Sequence, residues 1–168
     1  VLAVILKSAQ LPVHGWLIQV MEAPTPVSAL LHAGIVNLGG FVLLRFAPLL
    51  SAAPAAQSLL VLVGGLTAVL AALVMMTRIS IKVRLAWSTC AQMGLMLLEC
   101  GLGLYELALV HLLAHSLYKA YAFLNSGDTV TQLRSHALQE RSALPSLAQT
   151  LLALALAALW VTLLHELW

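Results

Sequence analysis

The sequence predicts an all-α protein, a polytopic bundle of transmembrane helices with a broken first helix. Three observations carry that prediction. Of 168 residues, 62% are hydrophobic and only 8% are charged, against roughly 25% charged in a soluble domain. The mean hydropathy is +1.01, and the apolar residues gather into six runs near the roughly 20 residues that a helix needs to cross a bilayer core. One of those runs, LVHLLAHSLYKAYAFLNS (Leu109 to Ser126), sets two histidines and a lysine into an apolar helix.

The runs follow in order. The first covers about 1–22 and is interrupted by Pro12 and Gly15; a proline removes a backbone donor and clashes with the preceding turn, so this helix must break or kink. The second covers about 26–46, and its start, Ala-Pro-Thr-Pro-Val-Ser, suits a helix N-terminus with Thr25 as cap. The third, about 58–76, has no charge, and the fourth and fifth cover about 85–102 and 104–126. A polar loop, 127–145, separates them from a sixth run at about 146–164; Gly127 suits a helix end and Pro145 a helix start. The chain opens VLAVILKSAQ and stops at Trp168, and the whole of 1–168 is expected to be one partial transmembrane domain of a longer membrane protein.

Loop charges set the orientation. Connections after runs one, three and five hold Arg78, Lys82, Arg84, Arg134 and Arg141, whereas the other side has Arg45 alone. The positive-inside rule makes the first side cytoplasmic. The net charge of +2 is too small to indicate a nucleic-acid partner. Cys90 and Cys100 lie ten residues apart in one helical run, about 15 Å along the axis, too far for a disulfide between them. They read as small buried apolar residues.

Titratable groups at membrane depth are costly and mark ion or proton paths when they face a polar interior. His111, His115 and Lys119 stand at i, i+4 and i+8, a stripe about 12 Å long on one helix face. Three readings apply: a proton relay, a structural polar cluster, or a metal site. The last is the weakest, because zinc needs a third ligand and Lys119 would repel a cation. Lys7, one turn before Pro12, reads either as a buried amine that carries protons or as a lysine snorkelling to an interface. His32 reads as a packing residue or as a member of the path. Glu99 and Glu106 sit near helix ends and read as interfacial. Asn37 precedes Gly39-Gly40, whose small size favours close helix packing. Ser88, Thr89 and Gln92 are polar and available for bonds between helices. There is no Walker A motif, no GxGxxG and no CxxC, so no redox or hydrolytic site and no cofactor is expected in this chain.

The stretch KSAQLPVHGWLIQVMEAPTPVSALLHAGIV (Lys7 to Val36) and the stretch LAWSTCAQMGLMLLECGLGLYELALVHLLAHSLYKAYAFLNSG (Leu85 to Gly127) closely resemble the antiporter-like membrane subunits of respiratory complex I, of the NADH–quinone oxidoreductase subunit L type, and of Mrp antiporters. The resemblance implies a fragment of a larger antiporter-like fold, and a proton path through Lys7, His32, His111, His115 and Lys119. It also implies a glutamate partner for Lys7 on an upstream helix. Within the superfamily, HGWLIQVMEAPTPVSALLHAGIVNLGGF and TRISIKVRLAWSTCAQMG are similar to membrane subunits of DAB-type inorganic-carbon transporters. Respiratory subunits typically read T-D-x-K-R where this chain has Thr77-Arg78-Ile79-Ser80-Ile81-Lys82, and the sixth run lacks the central charge of the respiratory pattern.

That resemblance implies a proton-conducting subunit in a bacterial inner membrane, coupled to bicarbonate or CO2 uptake. Its implied partners are membrane lipid, protons and a large zinc-containing, carbonic-anhydrase-like cytoplasmic protein. Arg78, Lys82 and Arg84, on the side assigned to the cytoplasm, are expected to form a docking face for such a partner. The alternatives are a proton-pumping subunit of NADH–quinone oxidoreductase or an Mrp-type antiporter, with other membrane subunits as partners, and a non-conducting anchor for a partner enzyme.

Overall fold

The first helix breaks around its proline. α1 (Leu2–Lys7) stops ahead of Pro12, and helix resumes in α2 (Gly15–Gln19), followed by a 3₁₀ turn at Val20–Glu22. The structure, a computed structural model, describes residues 1–126 and Leu151; the polar loop and the sixth run lie outside the described residues. Within the break the Leu11–Pro12 peptide is cis and Ala9 has φ +51°. Backbone groups freed at membrane depth cost several kcal/mol each unless partnered, and the break supplies partners. Gln10 Nε2 donates to the Ser8 carbonyl at 3.0 Å, Trp16 Nε1 to the Leu6 carbonyl at 3.3 Å, and the Leu11 N–H to Thr67 Oγ1 at 3.2 Å.

The second run is not the single helix its hydropathy predicts. α3 (Thr25–Ala33) and α4 (Leu38–Arg45) flank a 3₁₀ turn at Ile35–Asn37. Asn37 is the cause. Its backbone N–H bonds the Gly34 carbonyl at 3.0 Å, three residues back, and its side-chain Nδ2 takes over the Ala33 carbonyl at 2.8 Å. A side chain inserted into the helical ladder in this way bends the helix. Thr25 does not cap α3; the cap residue is Pro24, whose carbonyl accepts from Val27 and Ser28, both at 3.0 Å.

Short α5 (Ala47–Ser51) leads into α6 (Pro54–Met76), α7 (Ile81–Gly101) and α8 (Tyr105–Asn125). Pro54 opens α6 from its first turn, where a missing N–H costs nothing, so α6 begins four residues before Ser58 (54 against 58). α6 and α7 run antiparallel and approach most closely through glycine. A Cβ on Gly64 would lie 2.6 Å from the Gly94 carbonyl oxygen, and one on Gly94 would lie 2.7 Å from the Gly64 carbonyl oxygen. Gly39 brings α4 onto α1, where a Cβ would meet Ser8 Oγ at 2.7 Å, and Gly40 faces Met96 of α7. Small residues replace the missing hydrophobic drive between membrane helices with close backbone contact.

Among the described residues three helices are long and apolar enough to cross a membrane: Thr25–Arg45 with its turn, α6 and α8. α7 matches α8 at 21 residues, about 31 Å of helix, but it carries Lys82, Arg84, Gln92 and Glu99. One side of it is enclosed, with Cys90, Met93, Met96, Leu97 and Cys100 all buried. The outer face of α6 leaves Leu62, Leu66, Val69 and Leu73 exposed, a surface suited to lipid or neighbouring helices. Lys82 Nζ donates to the Ala23 carbonyl at 2.7 Å and lies 3.4 Å from that of Met21, so the connections before α3 and before α7 share one end of the bundle. The Ser51 and Tyr105 hydroxyls meet at 3.0 Å and join the connections before α6 and before α8.

Candidate functional site

The stripe on α8 lies against a matching polar face of α7. Ser88, Gln92 and Glu99 fall at i, i+4 and i+11, one side of a helix, and the antiparallel register sets Glu99 opposite His111 and Ser88 opposite Lys119. Met75, Ala114 and Tyr118 complete a cleft of about 430 Å³ that Ser88, Gln92, His111, His115 and Lys119 also line.

Lys119 is fully buried, at 1% exposure. Its Nζ donates to the Leu85 carbonyl at 2.9 Å and to Ser88 Oγ, and it lies 5.8 Å from the Tyr118 ring centre. The Leu85 carbonyl also accepts from Ser88 Oγ at 2.8 Å and Thr89 Oγ1 at 3.0 Å. One backbone oxygen thus gathers the lysine and two hydroxyls.

His32 joins from α3. Its Nδ1 meets Thr89 Oγ1 at 3.0 Å. The Thr89 hydroxyl proton is committed to Leu85, so Nδ1–H donates and the buried Nε2 is the acceptor. The ring stacks on Phe123 with centres 4.4 Å apart. Both His32 and Lys119 therefore reach Leu85, one through Thr89 and one directly.

His111 and His115 differ. His111 Nδ1 stands 3.0 Å from both Glu99 oxygens, and Nε2 stands 2.8 Å from Gln92 Oε1. His115 is 5% exposed, its ring 6.3 Å from that of His111 and roughly perpendicular. Its two buried ring nitrogens bond no protein atom among the described residues. No group of three metal-ligating side chains converges among those residues either, so His111 and His115 have no third ligand there.

Of the residues singled out in the sequence, His32, His111, His115 and Lys119 come together. Lys7 does not: it ends α1, exposed, beside a groove lined by Leu6, Val13, Trp16 and Ile35. Of the three cations before and in early α7, Arg78 lies 5.8 Å from the Trp87 ring centre, Lys82 is committed to backbone carbonyls, and Arg84 is exposed. Glu99, two residues before the end of α7, is 7% exposed and packed against His111. Sequence reasoning underweighted Glu99 and Gln92, and their common helical face with Ser88 was the available signal.

A family described as NADH:quinone oxidoreductase/Mrp antiporter, TM, matches residues 1–165. Over 148 residues the chain is 66% identical to the probable inorganic carbon transporter subunit DabB of Hydrogenovibrio crunogenus, covering 88% of this chain and 28% of that protein. It is 46% identical over 125 residues to NADH-quinone oxidoreductase subunit L of Rhodobacter capsulatus, covering 74% of this chain and 18% of that one. Among solved structures, a chain of the Mrp complex from Dietzia sp. DQ12-45-1b aligns with TM-score 0.73 at 38% identity, over 88% of this chain and 16% of the other. The chain thus spans about a quarter of the length of the first curated relatives it matches.

Proposed function

The chain belongs to the NADH:quinone oxidoreductase/Mrp antiporter membrane family, and from that premise we propose that it carries the central stretch of a proton path in a membrane subunit that couples proton movement to inorganic-carbon uptake. The observation that carries the proposal is the burial of Lys119 beside a cleft that His115 and His111 also line. An amine enclosed at membrane depth is expensive, and its neighbours are groups that exchange protons rather than a fixed carboxylate that would lock its charge.

In this reading Lys119 holds a proton between the Leu85 carbonyl and Ser88, and releases it into the cleft. A cleft of this volume, with Ser88, Gln92, His111, His115 and Lys119 in its lining, has room and polar partners for waters. The two ring nitrogens of His115 stand ready to bond them, one giving and one taking a proton, and His111 continues the chain. His32 connects through Thr89 to the same carbonyl and brings α3 into the path. Moving one charge through 100 mV is worth about 2.3 kcal/mol, enough for a modest gradient to drive work elsewhere in an assembly. Lys7 belongs to the path through a group outside this chain, and the loops bearing Arg78, Lys82 and Arg84 face the cytoplasm of a bacterial inner membrane and dock a large zinc-containing soluble partner.

The likeness to inorganic carbon transporter subunits supports uptake of bicarbonate or CO2 over respiratory pumping. Two measurements test this on the full-length protein. Potential-driven proton uptake into proteoliposomes should require Lys119. Gentle purification of the tagged subunit should bring down one large zinc-containing protein; flavin and iron–sulfur absorbance in that preparation would instead indicate a respiratory complex, and unaltered flux without Lys119 would leave only the anchor reading.

A further inference from the structure

Glu99 has no part in the path described above, yet it is the most enclosed carboxylate among the described residues. A buried carboxylate is costly unless a charged or hydrogen-bonding partner holds it. Its partner is His111, whose Nδ1 lies 3.0 Å from both carboxylate oxygens. The other ring nitrogen, Nε2, faces Gln92 Oε1 at 2.8 Å. Both nitrogens of His111 thus stand against acceptors, the bonding pattern of a doubly protonated ring. Cys100 adjoins Glu99 on α7, and Glu106 lies five residues before His111 on α8, exposed. A pair of this kind, 9% and 13% exposed on its side chains, is sheltered but still open to the cleft that His111 lines.

We propose that Glu99 is the counter-ion that holds a proton on His111, and that the Glu99–His111 pair is the proton-loading station at the end of the stripe remote from Lys119. The inference rests on the relay reading and adds a member to it. A proton arriving at that end of the bundle is held as imidazolium against the Glu99 carboxylate. When the Gln92 amide turns aside, Nε2–H is given to water in the cleft, the ring is left neutral on Nδ1–H, and the water passes its proton towards His115. One proton enters and one leaves, and the carboxylate keeps its charge throughout. Gln92 is a positioning residue: its amide oxygen, 2.8 Å from Nε2, holds the ring until release.

The test uses the full-length subunit with its partner in proteoliposomes, with flux read by an encapsulated pH dye, and ring nitrogen-15 spectra of the same protein, with His111 assigned by its loss in His111→Gln. The expected wild-type spectrum shows a doubly protonated His111 near neutral pH. Glu99→Gln, which keeps the shape and can still accept from Nδ1, should return the ring to its neutral form and lower flux about 100-fold, the lower end of what a positioned proton-transfer group contributes. Glu99→Asp should restore part of both signals. A neutral His111 in the wild type, wild-type flux in Glu99→Gln, or a fall in flux with the ring still doubly protonated would each overturn the proposal, and the wild-type spectrum decides it even if Glu99→Gln does not fold. A transport-dead Lys119→Met beside a fully active Glu99→Gln defeats this inference alone. A fully active Lys119→Met defeats the relay reading beneath it.

Discussion

Lys119 on α8 and Leu85 on α7 are joined by a 2.9 Å hydrogen bond from the lysine Nζ to the backbone carbonyl. The carbonyl also accepts from the Ser88 and Thr89 hydroxyls, so the lysine is held by a neutral dipole and not by a carboxylate. An ion pair in this place would fix the charge. A dipole with a hydroxyl beside it leaves the amine free to gain or lose a proton at little structural cost.

Lys119→Met should therefore abolish transport while the subunit still inserts and assembles. Methionine keeps the length and the apolar stem, and Ser88 and Thr89 can still bond Leu85 once the lysine is gone. Proteoliposome flux measured beside the yield of assembled complex checks this; wild-type flux would show that the amine carries nothing.

Thr89→Val should isolate His32 from the Leu85 carbonyl. The substitution preserves shape and removes the oxygen that meets His32 Nδ1 at 3.0 Å, leaving a buried donor unpaired, a loss of about 1–3 kcal/mol. Flux should fall more than thermal stability does, whereas Thr89→Ser, which keeps the hydroxyl, should stay near wild type. Equal losses in the two variants would mean that the methyl packing, and not the hydroxyl, is what matters.

Gly94→Ala tests the glycine seam. The new Cβ would stand 2.7 Å from Gly64 O and from Ala68 N, both backbone atoms that cannot swing aside. α6 and α7 would have to separate, at about 1–3 kcal/mol, read as a lowered unfolding temperature of the detergent-solubilised subunit. An unchanged temperature would show that the seam has slack. Gly15, with no atom within 4 Å of its Cβ position, supplies a control for steric loss.

Much of this was legible in the chain. His111, His115 and Lys119 announce their common face by a period of four in an apolar run, and Pro12 forces the break after Lys7. The interruption at Ile35–Asn37 was hidden because hydropathy is blind to a single asparagine that trades a backbone bond for a side-chain one. The polar face of α7 was harder: Ser88, Gln92 and Glu99 are spread over three turns, and each alone looks like an ordinary interfacial residue. Their meaning comes from α8, whose antiparallel register no local pattern records. Lys7 shows the opposite limit, since its side chain faces away from the residues with which the sequence groups it.

Lys7→Arg addresses that separation. Arginine stays charged at any accessible pH, so a lysine that passes protons to a group outside this chain is disabled by the change, and a lysine that only snorkels is not. The expected result is a large loss of flux with normal insertion. Retained flux would remove Lys7 from the path and leave the Leu85-centred group as the whole of it.

Lys82 and Arg84 should separate folding from docking. Lys82 bridges two carbonyls of the turn before α3, the nearer at 2.7 Å, and so pins the start of α7 to the end of the broken first helix. Lys82→Met leaves those carbonyls without their donor and should lower stability by about 1–3 kcal/mol. Arg84 is exposed, and Arg84→Ala should change stability by no more than about 0.5 kcal/mol. If this end of the bundle receives a soluble partner, Arg84→Ala should nevertheless reduce copurification of that partner at low salt, and the difference from wild type should shrink at raised salt, because a surface charge acts through a field that ions screen within about 10 Å at 0.1 M. Undiminished copurification with Arg84→Ala, together with a stability loss in Lys82→Met, would assign this cationic loop to holding the bundle together and move the docking face elsewhere.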